Sequence, residues 1–249
     1  MKGIILAGGN GTRLLPLTAI ASKQLLPVYD RPMIFYPLNT LVSAGIKDVL
    51  VIVSPEHSGN YLNLLGSLLW KYGVNISFIV QKEPRGLPEA FILGEDFIDN
   101  GPCVMILGDN LFEDDFVEAI QSFKRGGRIF AKVVADPNRF AVVEFDGTTN
   151  QVLSIVEKPK APKSQFASPG LYIYDAEVVI VDLHNYYLGK GLLDVRVING
   201  AWFDVGTHDS LLDASNYVRE KDFRSRFHPM IKEALIEFNE EFKRIISIV

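Results

Sequence analysis

Four apolar runs punctuate the first half of the chain: GIILAG at 3–8, DVLVIVS at 48–54, NISFIVQ at 75–81 and CVMILGD at 103–109. They are short, rich in β-branched residues, and continuous rather than alternating, which predicts strands buried on both faces. Between them the apolar spacing turns helical, predicting helices over 32–44, 59–71, 88–98 and 114–124. Pro32 suits a helix's first turn, whereas Pro37 would interrupt an interior, so a local irregularity is expected there. Strand and helix alternating in this way predict an α/β fold: a doubly wound, mostly parallel sheet with helices on both faces.

The second half has a different rhythm. RIFAKVVA (128–135), FAVVEFD (140–146), QVLSIVEK (151–158) and GLYIYD (170–175) follow closely, separated by Asp136-Pro137-Asn138 and Asp146-Gly147. Strands that near to one another leave no room for crossover helices, so antiparallel additions to the parallel core are expected. A further strand at 193–198, a helix from His208 and a charged helix at 229–246 complete the pattern. No linker or repeat interrupts it, and the 249 residues read as one domain.

Composition narrows the function. The chain is 48% hydrophobic and 22% charged, as a soluble globular protein would be, and its net charge of −5 argues against a nucleic-acid binder. An acidic protein can still hold an anionic ligand with a local cluster of cations. The single cysteine, Cys103, sits in an apolar run and excludes a disulfide framework or a cysteine metal site. No apolar stretch is long enough to span a bilayer, and the opening residues do not read as a signal peptide, so the expectation is a cytoplasmic protein without a membrane partner.

The chemistry concentrates in LAGGNGTRL, residues 6–14, where a strand runs into a glycine-rich loop. Such a loop followed by a helix can cradle phosphate with backbone N–H groups. It matches neither common pattern: Leu14 stands where the dinucleotide motif needs its third glycine, and Gly11-Thr12-Arg13 replaces the Gly-Lys-Ser/Thr of the Walker loop. A structural turn is therefore as good a reading of the glycines alone. Arg13 and the nearby Lys23 shift the balance, because a bidentate cation and a point-charge cation together suit a triphosphate.

LAGGNGTRLLPLT, then SKQLLPV at 22–28 and RPMIFYPL at 31–38, resemble the sugar-phosphate nucleotidyltransferases. Further segments agree in order: QKEPRGL at 81–87, LGDN at 107–110, VEKP at 156–159, GLYIYD at 170–175 and WFDVGT at 202–207. The resemblance spans roughly residues 1–220, and Ser22-Lys23-Gln24 with Gly108-Asp109-Asn110 resemble the thymidylyl-transferring members. It implies a Rossmann-like mixed sheet of the nucleotide-diphospho-sugar transferase type. The nucleotide-binding half would be 1–135, the sugar-binding half 136–220, and 221–249 a helical tail. It implies transfer of a nucleotidyl group from dTTP to glucose 1-phosphate, with pyrophosphate released.

Residue by residue, the resemblance implies that Arg13, Lys23, Asp109 and Lys158 are catalytic, and that Asp109 and Asp204 hold Mg²⁺. Around the nucleotide it places Leu6, Ala7, Gly8, Gly9, Gly11, Thr12, Gln24, Gln81, Pro84 and Gly86, with Arg13, Lys23 and Asp109. Around the sugar it places Asn110, Ala141, Glu157, Lys158, Tyr172 and Trp202. A glutamine amide carries a donor and an acceptor, as the imide edge of a pyrimidine requires. Homo-oligomerisation is implied as well; apolar residues of 59–72 (Tyr61, Leu64, Leu65, Leu68, Leu69, Trp70) are candidates for an interface, though core positions suit most of them better.

The chain departs from the family pattern in three places. Ala141 replaces a glycine in Phe140-Ala141-Val142-Val143, Gly86-Leu87-Pro88-Glu89-Ala90 carries a carboxylate in place of an amide at Glu89, and a segment bordering the sugar is missing after Ile180. These departures keep two alternatives open: a regulatory sugar-nucleotide binder without catalysis, and a transferase for another base, such as uracil, or another sugar.

Overall fold

The computed structural model describes residues 1–83, 86–175 and 183–246. Its strands in chain order are β1 (Lys2–Ala7), β2 (Pro27–Val28), β3 (Arg31–Pro32), β4 (Asp48–Val53), β5 (Asn75–Val80), β6 (Cys103–Leu107), β7 (Asn110–Phe112), β8 (Gly127–Val133), β9 (Ala141–Phe145), β10 (Val152–Glu157), β11 (Phe166–Ser168), β12 (Leu171–Tyr174), β13 (Leu193–Val197) and β14 (Trp202–Asp204). The helices are α1 (Phe35–Ser43), α2 (Ser58–Leu65), α3 (Leu87–Leu93), α4 (Glu95–Ile98), α5 (Val117–Gln121), α6 (Leu183–Gly189), α7 (His208–Glu220) and α8 (Pro229–Ile246).

One large sheet runs in the order β10-β9-β11-β8-β12-β6-β1-β4-β5, with β13 also paired to β8. The four apolar runs of the first half form its parallel part, β6-β1-β4-β5. β12 is antiparallel to both β6 and β8, and β8, β11, β9 and β10 continue antiparallel from there. The change from parallel to antiparallel falls at β6–β12, beside the end of the strand that leads to Asp109. In an open α/β sheet, ligands collect at such a change of direction.

Alternate residues of each strand feed two cores. Ile5 and Ala7 of β1 face a cluster shared with α1, α2, α7 and α8, while Ile4 faces the opposite cluster with Phe91, Tyr174 and Tyr187. Covering both faces explains the continuous apolar runs of β1, β4 and β6, whereas β5, at the edge of the sheet, has only exposed and half-buried residues and departs from the expectation. Among the described residues no helix is long and apolar enough to cross a membrane.

The helices differ from the sequence pattern in instructive ways. α1 starts at Phe35 rather than 32, so Pro37 lies in its first turn, where an amide has no partner within the helix, and no irregularity results. The run at 59–71 ends as a helix at Leu65 and continues through Gly66 into a tight turn at Trp70–Tyr72. The run at 88–98 divides at Gly94 into α3 and α4. At 114–124 only Val117–Gln121 is helical, because Asp114 is drawn away to accept from Gly200 N–H at 2.7 Å and Asp115 caps Val117 N–H at 2.7 Å. The loop after β1 leads into a single 3₁₀ turn, Thr12–Leu14, and not into an α-helix, so no helix N-terminus faces its ligand.

Of the interface candidates, Tyr61, Leu65 and Leu69 are core residues, Leu64 and Leu68 pack partly against the core, and Trp70 is 75% exposed.

Candidate active site

The glycine-rich loop owes its shape to packing on either side. Gly8 is buried against Gln81, whose Oε1 would lie 2.7 Å from a Cβ placed on Gly8. Gly11 adopts a left-handed φ of 60°, and a Cβ there would meet Thr18 at 2.9 Å and Lys23 at 3.2 Å. Its carbonyl accepts from Thr18 Oγ1 and from Leu14 N–H, both at 2.9 Å. Gly9 between them has nothing within 4 Å of that position and leaves its backbone open to a ligand. Leu6 is still within the sheet, its carbonyl accepting from Gly108 N–H at 2.9 Å.

Lys23 is brought to the loop by a buried triangle. Gln24 Oε1 accepts from Ser22 Oγ at 2.9 Å and from Tyr61 Oη at 3.2 Å, and Ser22 Oγ also meets Tyr61 Oη at 2.8 Å. The Gln24 side chain is thus turned inward, and burial pushes the Tyr61 hydroxyl pKa up. Lys23 projects the other way and forms an ion pair with Asp109 Oδ2. The second Asp109 oxygen accepts from Asn110 Nδ2 at 3.0 Å.

Asn110 is a hub rather than an open group. Its Oδ1 accepts from Trp202 Nε1 at 2.7 Å and from Gly170 N–H at 3.0 Å, so β14 and the turn before β12 are tied to the neighbour of Asp109. Trp202 therefore spends its indole N–H internally, and its ring packs on Phe140 with centroids 5.0 Å apart.

β14 also carries Asp204, opposite Asn110 in the β7–β14 pair, and Val205 N–H donates to the Asp109 carbonyl at 3.0 Å. Burial, and then the nearby Asp109 charge, raise the Asp204 pKa above the usual carboxylate value, while Lys23, Arg13 and Arg139 oppose the shift. The Arg13 guanidinium lies over Gly206, where a Cβ would come within 2.6 Å of its Nη2. Loop and β14 turn, almost two hundred residues apart, thus converge on one cluster. A carboxylate whose ionisation is opposed by burial and by a second carboxylate beside it, with only hard oxygen donors, suits a divalent cation such as Mg²⁺.

Beside Gly8, Gln81 is 3% exposed and donates from Nε2 to Glu89 Oε2 at 2.6 Å. Gly86 opens α3 with φ 93°, a conformation that favours glycine, so the chain turns there without strain. Pro84 lies outside the described residues, as do residues 176–182, where the family's segment is missing after Ile180.

Of the residues that the resemblance assigns to the sugar, Ala141, Glu157, Lys158 and Tyr172 lie on or next to the antiparallel strands of the large sheet, and Asn110 and Trp202 in the β7–β14 pair. Ala141 of β9 stands opposite Glu157 of β10. Lys158 follows with φ 43°, its N–H donating to the Phe140 carbonyl at 3.0 Å, and its Nζ is 3.3 Å from Glu157. Tyr172 is buried, and burial, then the charges of Glu157, Asp109 and Asp204, raise its hydroxyl pKa.

The structure thus gathers Arg13, Lys23, Asp109 and Asp204 into one cluster and brings Tyr172 within electrostatic reach of Asp109, Asp204 and Glu157. It turns the side chains of Gln24 and Asn110 to structural hydrogen bonds. Sequence reasoning missed Arg139, exposed beside Phe140 and close enough to act on Asp204, and Ser22 and Tyr61, which hold the Lys23 turn. A polar Ser-Lys-Gln interruption was the only visible trace of that turn.

The nucleotidyl transferase family model matches residues 2–221. The glucose-1-phosphate thymidylyltransferase of Mycolicibacterium smegmatis is 46% identical over 244 residues, covering 90% of this chain and 84% of that protein. The enzyme of the same name from Neisseria meningitidis is 46% identical over 240 residues, covering 88% and 83%. Among solved structures, a Bacillus anthracis protein described as a glucose-1-phosphate thymidylyltransferase, in complex with sucrose, superposes with a TM-score of 0.82 at 39% identity, covering 88% of this chain and 95% of that one. A UDP-glucose pyrophosphorylase complexed with UDP-glucose shares the fold, with a TM-score of 0.76 at 23% identity over 88% and 98%. The chain belongs to the nucleotidyl transferase family, with the glucose-1-phosphate thymidylyltransferases as its relatives there.

Proposed function

We propose that the protein transfers a thymidylyl group from dTTP to glucose 1-phosphate, giving dTDP-glucose and pyrophosphate, and that it does so in the cytoplasm. The observation that carries this reading is the meeting of the loop cations with two carboxylates at the end of β6. Arg13 lies over Gly206, Lys23 pairs with Asp109, and Asp204 is held beside them. A site for joining two polyanions needs this mixture of fixed cations and metal-binding oxygens.

A phosphate oxygen of the sugar 1-phosphate attacks the α-phosphorus in line, and the bond to the β-phosphate oxygen breaks as pyrophosphate leaves. Arg13 neutralises charge gathering on the leaving group. Lys23 exchanges part of its pairing with Asp109 for the triphosphate. Lys158 holds the sugar phosphate and Glu157 accepts from sugar hydroxyls. Asp109 and Asp204 would hold Mg²⁺, which when bound offsets the negative charge of the phosphates. Gln81 and the open backbone near Gly9 and Gly86 receive the base. A homo-oligomer is part of the same reading, with exposed Trp70 and Leu62 available to a second copy.

The test is pyrophosphate release with dTTP, UTP and CTP against a panel of sugar 1-phosphates. Release with dTTP and glucose 1-phosphate above all other pairs is the expected result. Nucleotide binding without release from any pair would replace this reading with that of a regulatory binder.

A further inference from the structure

β12 is buried along its whole length, and its alternate residues Tyr172 and Tyr174 share one face. A buried tyrosine hydroxyl needs a hydrogen-bond partner. Tyr174 shares one with His184 in the first turn of α6, with 2.9 Å between Oη and Nδ1. Tyr187, three residues further and so on the same side of α6, stacks on Tyr174 with ring centroids 5.6 Å apart and donates from Oη to Asp175 at 2.5 Å. Phe91 of α3 meets the Tyr174 ring edge-on at 5.5 Å. The ring that bonds His184 is therefore held by two helices.

His184 also packs on Tyr172, the two rings lying 5.2 Å apart and tilted by 49°. Tyr172 is 6% exposed, and the charges of Glu157, Asp109 and Asp204 all act on its hydroxyl. Its hydroxyl end thus belongs to the proposed active site, while its ring rests against α6. An apolar side chain at 184 could fill the same space. What it could not do is fix an angle, because rotation about the bond that carries an aromatic ring is soft and packing leaves it broad. A hydrogen bond made in the plane of the imidazole selects one angle, and in a close-packed interior the neighbouring ring must conform to it.

We infer that His184 is a positioning residue: its hydrogen bond with Tyr174 fixes the plane of the imidazole, and the imidazole in turn fixes the tilt of the Tyr172 ring at the proposed sugar end of the site. The inference rests on the proposed sugar 1-phosphate reaction. It adds a control on sugar-phosphate affinity that is seated in α6, behind β12, and passes through two aromatic rings.

The experiment compares wild type with His184→Phe, which keeps a ring in place and removes the hydrogen bond. KM for glucose 1-phosphate, from pyrophosphate release with dTTP, should rise about fivefold to tenfold, the value of one uncharged hydrogen bond. KM for dTTP should stay unchanged. Tyr174→Phe breaks the same bond from its other end and should repeat this pattern; it also carries the test alone if the His184 variant does not fold. Because both act through one bond, the double variant should lose no more than either single variant. In a Tyr172→Leu background His184→Phe should have no further effect on KM, since the ring it acts through is gone. Losses that add in the double variant, equal rises in both KM values, or a lowered Tm with KM unchanged would mark a histidine that only fills the core and would overturn the inference. A wild type that releases no pyrophosphate with any pair would refute the proposed reaction and this inference with it, whereas an active wild type matched by its variants refutes the inference alone.

Discussion

Lys23 and Asp109, at the proposed phosphate end, keep only 10% and 14% of their side-chain surface exposed, whereas Glu157 and Lys158, at the proposed sugar end, keep 67% and 65%. The first pair is held from several directions, by the Ser22–Gln24–Tyr61 triangle on one side and by Asn110 on the other. The second is a contact between sequence neighbours at the close of a strand. An exposed ion pair of that kind contributes about 0–1 kcal/mol and is readily exchanged for a ligand. The phosphate end is thus organised before substrate arrives, as electrostatic preorganisation requires. The charged groups of the proposed sugar end, exposed on both sides of the pair, lack that support.

This contrast predicts the sizes of mutational effects. Asp109→Asn should be the most damaging substitution, lowering kcat by on the order of 10³-fold, because it removes a preorganised charge from the reacting centre. It also leaves Lys23 without its carboxylate partner, so circular dichroism and thermal melting should accompany the kinetics. Activity near that of wild type would sink the metal assignment and the contrast with it.

Lys158→Ala should act mainly on substrate binding. Loss of a hydrogen bond to a charged phosphate is worth about 1.5–3 kcal/mol, so KM for the sugar phosphate should rise roughly 10–100-fold. Nucleotide affinity, measured separately by calorimetry, should stay unchanged. A fall in dTTP affinity would place Lys158 at the phosphate end.

Glu89→Gln probes how the base is read. An ionised carboxylate can only accept, so Glu89 keeps the Gln81 N–H toward itself and Oε1 toward Gly8. A carbonyl turned to the base suits the N3–H of thymine or uracil and opposes cytosine, whose N3 accepts. A glutamine at 89 would tolerate either orientation of Gln81, and the preference for dTTP over CTP should fall about fivefold to tenfold, the value of one hydrogen bond. An unchanged dTTP to CTP ratio would show that Glu89 has no part in orienting Gln81.

The same comparison explains what could be read from sequence. β1, β4 and β6 were legible because burial on both faces leaves a continuous apolar run, and α8 because its pattern is long and periodic, whereas β2, β3, β7, β11 and β14 have only two or three residues each, too few to show a period. The interruptions at Gly66 and Gly94 were harder, since the apolar spacing continues past them. The phosphate loop was visible as local chemistry: Arg13, Lys23 and the glycines lie within sixteen residues of one another. Asn110 and Gln24 were assigned to ligands because side-chain direction is not written in local sequence, and both turn inward through partners far along the chain.

The smallest effect separates the two ends by stability rather than rate. Burial and the Asp109 charge raise the Asp204 pKa in the folded protein above its unfolded value. Between those two values the folded state holds more protons than the unfolded one, so the metal-free protein loses stability as pH rises through that window and levels off above it. Asp204→Asn removes this slope. Below the ordinary carboxylate range the variant and wild type should melt together, whereas near pH 8 and without metal the variant should be the more stable. Each kcal/mol recovered should appear as about 2–4 °C in Tm. Mg²⁺ should reverse the order, because an ion bound to the folded state stabilises wild type by mass action and has lost a ligand in the variant. Differential scanning calorimetry across pH, with and without Mg²⁺, would show this crossing. Equal stabilisation of both proteins by Mg²⁺ would remove Asp204 from the metal site. The same scan with Glu157→Gln should show no crossing on addition of Mg²⁺, since that side chain is two-thirds exposed and lies outside the Asp109–Asp204 cluster.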